Sequence, residues 1–575
     1  MAMLHPPIAP WVQRNADGCA LTLLADLPPG VQPWLRHLPD NEEELVPMVP
    51  DGAEGRLGRF RAFLPWDRGN RVTRYCFKTV SPDGQQWLAA DGLHPHVPPE
   101  DAHFRINADD TPPEWVRDQV FYQVFPDRFA RGTDAPVHLP PDVPGRAPNE
   151  ARAWGDAVPL DRPTTVFYGG DLPGIEQRLG YLRDELGATA LYLNPVFRSR
   201  SNHKYDTEDY FEVDPGFGGN AALQGLGAAM RAQGMKLLLD AVVNHTGAQH
   251  PWLGSARHRY AFDAQGQPVG WKGHASLPVL DYAQPEVKQA MFEGESSVMR
   301  HWMQPPYAID GWRLDAVHML GEGPGAWNNA ALLAAMRRAV KAQNPQAYLV
   351  GEHFNEAARW LQGEQEDGAM NYHGFAHPLR AWLAGKDLAG HPVSLATPEF
   401  SRWLDTARAA IPYDNQLAQL NLLDSHDTPR FLELLGGDTQ AMQLAVTLLM
   451  TYPGTPCIYY GDEIGLAGGQ DPDCRRCFEW ERSRWNRPLF AHYREAVHRR
   501  HARAELRRGA FVRLHAEGDG YAFARFTAQA LSIVAVNRGT DPLDLALDLR
   551  ALPLGPAQLT LRVPARGSTV WCSPP

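Results

Sequence analysis

The sequence has few cysteines. Only six occur among 575 residues, and their spacing gives no framework for a disulfide-stapled domain. Cys474 and Cys477 form a single CxxC pair, whereas a zinc site would require a second pair or nearby histidine ligands. Motifs for a catalytic zinc, a phosphate-binding loop and a dinucleotide are likewise missing. We therefore expect no metal and no cofactor.

Long apolar and long basic segments are missing as well. The longest uncharged segment, 439–461, contains Pro453, Gly454 and Pro456, which break it before it reaches the roughly 18 apolar residues of a membrane span. The formal net charge is −12 and no segment is rich in Lys and Arg, which argues against a nucleic-acid partner. The N-terminus has neither the basic nor the apolar region of a signal peptide. These features predict a cytoplasmic protein that contacts neither membranes nor nucleic acid.

The chain divides into three regions of different pattern. Residues 1–112 consist of short β segments separated by turn residues, which is typical of a β-sandwich. Residues 113–504 alternate apolar strands with helices in eight units, which predicts an α/β fold with a (β/α)8 TIM barrel. Residues 505–575 alternate again and predict a C-terminal all-β domain. The long polar segment 246–283, after the third strand, is the predicted substrate loop, because such loops in compact domains are usually functional.

One predicted barrel strand carries two charges. In the stretch "DGWRLDAVHML" (310–320), Arg313 and Asp315 lie two residues apart and therefore share one face of the strand. They could form a structural ion pair that fixes the strand register, or Arg313 could keep a reactive carboxylate ionised. The segment alone leaves both interpretations open.

Polar side chains cluster where the predicted barrel strands end. Barrel enzymes build their active sites at these C-terminal ends. The residues there are Asp240, Asn244 and His245 after strand three, Arg313, Asp315 and His318 after strand four, Glu352 and His353 after strand five, and His426 and Asp427 after strand seven. Several carboxylates in one pocket are costly to place for structure alone. Carboxylates without metal-ligand spacing suit the cleavage of a glycosidic bond.

Four of these segments carry a family resemblance. "DAVVNH" (240–245), "GWRLDAVH" (311–318), "GEHF" (351–354) and "LLDSHD" (422–427) resemble, in order, the four sequence blocks of the α-amylase family of retaining glycoside hydrolases (family 13). The resemblance covers about residues 115–500 and is weaker at both ends. It implies the same barrel fold and hydrolysis of α-linked glucans.

A narrower resemblance concerns the branch within that family. The N-terminal β domain, "FYGGDLPGI" (167–175) and "IYYGDEIGL" (458–466) look like the branch that contains cyclomaltodextrinase, neopullulanase and maltodextrin glucosidase. "DAVHMLGE" (315–322) with "ASLPVLDY" (275–282) looks most like the bacterial maltodextrin glucosidases. Relatives with this N-terminal domain often dimerise, so the resemblance also implies a homodimer that forms through that domain.

The resemblance implies roles for the charged residues. Asp315 would be the nucleophile, Glu352 the general acid and base, and Asp427 would bind two hydroxyls of the cleaved sugar. Arg313 would orient Asp315 and lower its pKa, while an anionic Asp315 would raise the pKa of Glu352. A retaining mechanism predicts about 5–5.5 Å between the carboxyls of Asp315 and Glu352.

The remaining implied residues bind the substrate. His245 and His426 would hydrogen-bond the cleaved ring, Tyr205 would stack on it, and His318 would lie toward the leaving group. Amylases often bind a structural calcium beside the strand-three block. Asn244 matches one such ligand, but no acidic loop completes the site, so we expect no metal.

These expectations lead to one main function and three alternatives. The main prediction is a retaining α-glucosidase that hydrolyses α-1,4 bonds of short maltodextrins and releases glucose. Its substrate would be a maltooligosaccharide. The first alternative is a cyclomaltodextrinase or neopullulanase. A sugar-transferring enzyme would share all three carboxylates. A non-catalytic carbohydrate-binding barrel is the alternative from a different class, and it would be expected to have lost one of them.

Overall fold

The centre of the structure, a computed structural model that describes residues 2–82, 84–321 and 329–574, is a parallel sheet. Its strands are β1 (Phe121–Val124), β2 (Ala190–Leu193), β3 (Lys236–Ala241), β4 (Gly311–Leu314), β5 (Tyr348–Gly351), β6 (Gly368–Ala369), β7 (Leu420–Asn421) and β8 (Thr455–Tyr459). Glu322, the last residue of the "DAVHMLGE" motif, lies outside the described residues.

The sheet closes into a barrel. Hydrogen bonds connect the strands in the order β6-β5-β4-β3-β2-β1-β8-β7, and a parallel bridge between Met370 and Leu420 joins β6 to β7. Every residue of β1, β2, β4 and β5 is buried, as expected for parallel strands covered on both faces. Gly311 is required in β4, because a Cβ there would lie 2.1 Å from the carbonyl oxygen of Tyr348. The predicted (β/α)8 barrel is confirmed.

Helices surround the barrel. The α-helices between Pro126 and Arg508 are Pro126–Phe129, Leu172–Gln177, Gly219–Ala232, Pro251–Ser255, Pro285–Lys288, Val298–Trp302, Asn329–Gln343, His377–Leu379, Thr397–Ala409, Tyr413–Leu417, Phe431–Leu434, Thr439–Thr451, Arg487–Ala502 and Ala504–Arg508. Gly219–Ala232 shows why such segments are amphipathic: Leu223, Leu226 and Met230, spaced at three and four residues, are buried. Between β1 and β2, the helical segment consists of two pieces, Leu172–Gln177 and the π-helical Tyr181–Leu186.

The N-terminal region is a sandwich of two antiparallel sheets. One sheet contains Ala2–Leu4, Val12–Arg14, Gly18–Asp26, Val49–Glu54 and Leu57–Pro65, and the other contains Pro33–His37, Glu44–Pro47, Val72–Ser81, Gly84–Ala89, Gly92–His94 and Phe104–Asn107. Leu21, Leu23 and Leu64 from the first sheet pack against Leu35 and Phe77 from the second. Alternate residues face inward, which is the period-two pattern of a half-buried strand. The predicted β-sandwich is confirmed.

The C-terminal region is also built from strands. Ala510–Glu517, Gly520–Phe526, Leu531–Asn537 and Gly567–Cys572 form one antiparallel sheet, and Leu543–Asp548 pairs with Gln558–Val563. An apolar cluster joins this region to the N-terminal sandwich, since Leu4, Trp11 and Leu24 pack with Phe526 and Ile533. The predicted all-β domain is confirmed. The residues that follow the C-terminal ends of the barrel strands belong to loops of the barrel region, not to either terminal region.

The long segment 246–283 contains short elements of its own. Helix Pro251–Ser255 begins it, and an antiparallel hairpin formed by Gly270–Trp271 and His274–Pro278 follows. Across the chain as described, no helix combines the length and the apolar character that crossing a membrane would need.

Candidate active site

A cleft of about 810 Å³ opens at the C-terminal ends of the barrel strands. Six of the predicted site residues line it: Tyr205, His245, Asp315, His318, Glu352 and Asp427. Arg313 and His426 do not reach its surface, because both are completely buried behind it. The structure therefore brings the predicted residues together in two layers, one that faces the cleft and one that supports it.

Arg313, on β4, forms the centre of the supporting layer. Its Nη1 lies 2.7 Å from Asp315 Oδ1 and 2.9 Å from Asp240 Oδ1, and its Nη2 lies 2.6 Å from Glu352 Oε1. One guanidinium thus contacts carboxylates that follow or end three neighbouring strands. The ion pair between Arg313 and Asp315 is therefore one part of a larger network. Through this network, Arg313 holds Asp315 and Glu352 beside each other at the floor of the cleft.

The electrostatics of Asp315 differ from the expectation. Burial raises the pKa of Asp315 well above its usual value, the guanidinium of Arg313 opposes this, and the charges of Glu352 and Asp240 add to the rise. Burial likewise raises the pKa of Asp240 to about 6. The prediction that Arg313 leaves Asp315 with a lowered pKa was wrong, because one cation does not offset desolvation among several carboxylates.

Glu352 is positioned by the backbone as well as by Arg313. It follows β5, and its Oε2 accepts a hydrogen bond of 2.8 Å from the backbone N–H of Ala316. Ala316 has φ +45°, a left-handed conformation that is costly for a residue other than glycine. Strained backbone of this kind is typical of functional sites. Here the turn after β4 directs an N–H at Glu352.

His426 links the two sides of the site. Its Nδ1 accepts from Gln123 Nε2 at 2.9 Å, which leaves Nε2–H facing Asp427 Oδ2 at 3.0 Å and the Tyr205 hydroxyl at 2.6 Å. Burial, reinforced by the positive charges of Arg475 and Arg313, lowers the pKa of His426 well below its usual value. His426 is therefore neutral and acts as a fixed hydrogen-bond donor.

Asp427 is held from the other side by Arg475. Arg475 Nη2 donates to Asp427 Oδ1 at 3.1 Å, its Nε donates to the carbonyl of His426 at 2.8 Å, and its Nη1 lies 3.0 Å from Asp471 Oδ1. The structure places Arg475 and Asp471 in the lining of the cleft beside Asp427.

The CxxC pair next to Arg475 is structural. Both thiols are free and buried, and burial raises the pKa of Cys474 and that of Cys477 to about 12. The Cys474 thiol lies 3.2 Å from the carbonyl of His426, whereas Cys477 packs in an apolar cluster that includes Tyr168. Protonated thiols in such surroundings are unreactive.

His245 and Tyr205 face the cleft in different ways. The Nε2 of His245 is buried and has no hydrogen-bond partner among the described residues, and burial lowers the pKa of this histidine to about 4. Its neutral ring is thus free to bind a ligand hydroxyl. The Tyr205 hydroxyl donates to Asp240 Oδ2 at 3.0 Å, and its ring lies nearly parallel to that of His426. These contacts fix the ring of Tyr205.

The two histidines after β4 and β5 have different positions. His318 is half-buried in the cleft wall, with Nδ1 3.4 Å from the carbonyl of Glu352. His353 turns away from the cleft: its Nε2 lies 2.9 Å from Glu366 Oε2, and its ring stacks on Trp360 at 4.2 Å. The orientation of His353 follows from the alternation of side chains at a strand end, since it comes directly after Glu352, which faces the cleft.

Sequence reasoning did not assign two supporting residues. Asp240 was noted at the end of β3, but its contact with Arg313 was not foreseen, and Gln123 on β1 gave no signal beyond a polar residue in an apolar strand. In the described ranges, no group of three or more His, Cys, Asp or Glu side chains is arranged to hold a metal ion. The Nδ2 of Asn244, the residue that matched a possible calcium ligand, lies 3.3 Å from His245 Nδ1.

A carboxylate-lined cleft on a (β/α)8 barrel defines a class of carbohydrate-cleaving enzyme, and sequence comparison agrees. The model of the α-amylase catalytic domain matches residues 123–267 and 271–507. The chain belongs to the α-amylase family and is a glycoside hydrolase.

Two relatives and one solved structure are similar to the chain over most of its length. The chain is 36% identical over 457 residues to a cyclomaltodextrinase of Geobacillus thermopakistaniensis (strain MAS1), covering 76% of this chain and 72% of the relative. It is 35% identical over 557 residues to neopullulanase 2 of Thermoactinomyces vulgaris, covering 92% and 86%. A solved cyclomaltodextrinase structure has a TM-score of 0.73 at 30% identity, with 98% of each chain covered.

Proposed function

We propose that the protein is a retaining glycoside hydrolase of the cyclomaltodextrinase and neopullulanase type, acting on α-linked glucans. The observation that carries the proposal is the shared guanidinium of Arg313, which binds Asp315 through Nη1 and Glu352 through Nη2. This geometry supports two neighbouring carboxyl groups on one face of the cleft, as a covalent intermediate requires. Asp427, which follows β7, is the third carboxylate of the site.

Each carboxylate then has a separate part in the reaction. Asp315 attacks the anomeric carbon while Glu352 gives its proton to the glycosidic oxygen, so the leaving sugar departs as an alcohol. Water then attacks the glycosyl–Asp315 ester and passes a proton to Glu352, which releases the sugar with its anomeric configuration retained. Asp427 binds hydroxyls of the cleaved ring, and Arg475 holds the carboxylate of Asp427 in place.

Two neutral histidines support the binding of the same ring. The unpartnered Nε2 of His245 faces the cleft and binds a sugar hydroxyl, whereas the Nε2–H of His426, behind the cleft, positions Asp427. Because both rings are neutral, neither competes with Glu352 for the reaction proton. Tyr205, fixed by Asp240 and His426, provides the aromatic wall. His318 lies on the side of Glu352 where the leaving group departs.

The relatives favour the alternative that the sequence ranked second. Their names are cyclomaltodextrinase, neopullulanase and maltogenic α-amylase, whereas the maltodextrin glucosidase prediction depends on the segments at 315–322 and 275–282. We keep glucose release from maltodextrins as the second candidate because of those segments. A non-catalytic barrel is disfavoured, since all three carboxylates are present and in mutual contact with their supporting cations.

The proposal includes a homodimer formed through the N-terminal sandwich. Large apolar side chains on its surface are more than a third exposed, namely Val49, Phe63, Val80, Leu93 and Val97. We take these exposed residues as candidate contacts with the partner subunit. Sedimentation at micromolar concentration tests this: a dimer that dissociates in Phe63→Asp is expected, and a wild-type monomer would contradict it.

One experiment tests the reaction and the substrate class together. The protein is incubated separately with β-cyclodextrin, pullulan and maltotriose, products are followed by chromatography, and the anomer of the first product is read by NMR. Ring opening or release of panose, with an initial α-anomer, is the expected result. Glucose from maltotriose without action on the other two would select the second candidate. Asp315→Asn is the control, and turnover that survives this change would contradict the mechanism.

A further inference from the structure

Two buried amide side chains behind the cleft join His426 to Tyr205. Gln123, on β1, and Asn194, directly after β2, are each only 1% exposed, and neither lines the cleft. Gln123 Nε2 donates to Asn194 Oδ1 at 3.2 Å and to His426 Nδ1 at 2.9 Å. Asn194 Nδ2 donates to the Tyr205 hydroxyl at 3.1 Å, and this hydroxyl lies 2.6 Å from His426 Nε2. These four side chains form a closed network of hydrogen bonds, called the amide network below.

Two carboxylates outside the amide network decide where its protons point. Asp427 Oδ2 lies 3.0 Å from His426 Nε2, and Asp240 Oδ2 accepts from the Tyr205 hydroxyl at 3.0 Å. Because a carboxylate only accepts hydrogen bonds, His426 must present Nε2–H to Asp427, and Tyr205 must present its proton to Asp240. In a neutral ring that carries its proton on Nε2, Nδ1 is an acceptor, so Gln123 must offer N–H to it.

The reverse direction fails at both carboxylates. If both amides were turned round, Gln123 would present its oxygen to His426, and the ring would need its proton on Nδ1. The lone pair of His426 Nε2 would then face the carboxylate of Asp427. Asn194 would likewise take the proton of the Tyr205 hydroxyl, which Asp240 now receives. Of the two directions, only the observed one satisfies both contacts.

We propose that Gln123 and Asn194 are positioning residues for the glycosidase reaction, which fix the proton of His426 on Nε2 and thereby hold Asp427 in its sugar-binding orientation. The inference rests on the proposed function. Asn194 contributes by accepting from the amide of Gln123, so that this amide cannot turn, and by donating to Tyr205. A buried polar network in which each donor has an acceptor holds one arrangement.

The charge of His426 can be changed from the position of Gln123. Burial lowers the pKa of His426 well below its usual value, and nearby positive charges act in the same direction. The groups that face or surround its ring are Gln123, Tyr205, Asp427, Arg475, Arg313 and His203. Gln123→Glu keeps the shape of the side chain but places a carboxylate beside Nδ1, which raises the pKa of the ring.

The test is the pH dependence of kcat/KM between pH 4 and pH 9, measured on a glucan that the wild type hydrolyses. In Gln123→Glu the protonated ring keeps Nε2–H at low pH. As the pH rises through the raised pKa of His426, the remaining proton stays on Nδ1 beside the new carboxylate, and Nε2 loses its own. A new alkaline limb with a fall of about 10²-fold is therefore expected. Gln123→Met adds no charge and is expected to lose about tenfold without a new limb.

A double variant shows whether Gln123 acts through His426. Gln123→Met should cost much less on a His426→Asn background than in the wild type, whereas additive losses would overturn the proposal. Gln419→Met is the matched control. Gln419 is a buried glutamine directly before β7, at the opposite end of the barrel, and its Nε2 donates to the Asn415 carbonyl at 3.0 Å. This control keeps the wild-type kcat/KM and pH profile.

Each outcome decides one statement. A folded Gln123→Glu protein without the new alkaline limb would overturn the positioning role. If the added charge prevents folding, Gln123→Met decides instead, and a wild-type kcat/KM in that variant would overturn the role. Asn194→Leu is expected to lose less than Gln123→Met, and unchanged kinetics would overturn the part given to Asn194. A wild-type protein that hydrolyses no α-glucan would contradict the proposed function, not the amide network.

Discussion

Replacing Arg313 by methionine is the sharpest test of how the site holds its charges. The guanidinium is completely buried and lies 2.7 Å from Asp315 and 2.6 Å from Glu352. Removing one partner of such a buried ion pair costs about 3–5 kcal/mol. Because Arg313 opposes the rise in the pKa of Asp315, its removal raises that pKa further. The nucleophile is then ionised only at higher pH.

The expected result has a magnitude and a direction. That free energy is a loss of folding stability; in kcat/KM, the removal of a preorganised charged group beside the reacting carboxylates is expected to cost about 10²- to 10³-fold at neutral pH. The acid limb of the pH profile of kcat/KM moves upward, because the ionised form of a carboxyl with a raised pKa is present only above that pKa. Arg313→Lys keeps the charge but not the fork of donors, so a partial recovery is expected.

The assay is the pH dependence of kcat/KM on one glucan between pH 4 and pH 9, with thermal unfolding to confirm that the variant folds. Arg338→Met is the matched control, since Arg338 is exposed on helix Asn329–Gln343 and should leave both activity and profile unchanged. A folded Arg313→Met protein with an unmoved acid limb and a loss below about tenfold would refute the reasoning.

Three further changes test single contacts. Glu352→Gln is expected to lower kcat on a glucan by about 10²- to 10⁴-fold but much less on a glycosyl fluoride, which leaves without a proton; equal losses would contradict an acid role. Arg475→Met removes the 3.1 Å contact with Asp427 and should raise KM and lower kcat together, by about tenfold or more in kcat/KM, whereas unchanged steady-state kinetics would argue against a positioning role. Lys204→Met removes the cation that lies 2.7 Å from the buried carboxylate of Asp214. Unfolding in urea should therefore show that the free energy of unfolding falls by about 3–5 kcal/mol. A loss below about 1 kcal/mol would contradict that estimate.

Local pattern was sufficient to predict the architecture. The alternation of apolar strands with helices, and the positions of Asp315, Glu352 and Asp427 in the segments that follow strands, depend only on residues close in sequence. Parallel strands in a barrel place their C-terminal ends at one edge, so position along each strand already implied that these carboxylates meet. The motif "DGWRLDAVHML" likewise placed Arg313 on the same strand face as Asp315, and so predicted a cation beside the carboxylates.

The tertiary structure alone decided how those residues act. Arg313 contacts Asp240 across 73 positions of sequence, and His426 contacts Gln123 across 303. The pKa of Asp315 rises because burial outweighs one guanidinium, and burial is a property of the assembled barrel, not of a strand. His353, which follows Glu352 after β5, pairs with Glu366, a partner that the alternation of side chains does not specify. Sequence thus determined which groups are available, and three-dimensional packing determined their charge, their partners and their direction.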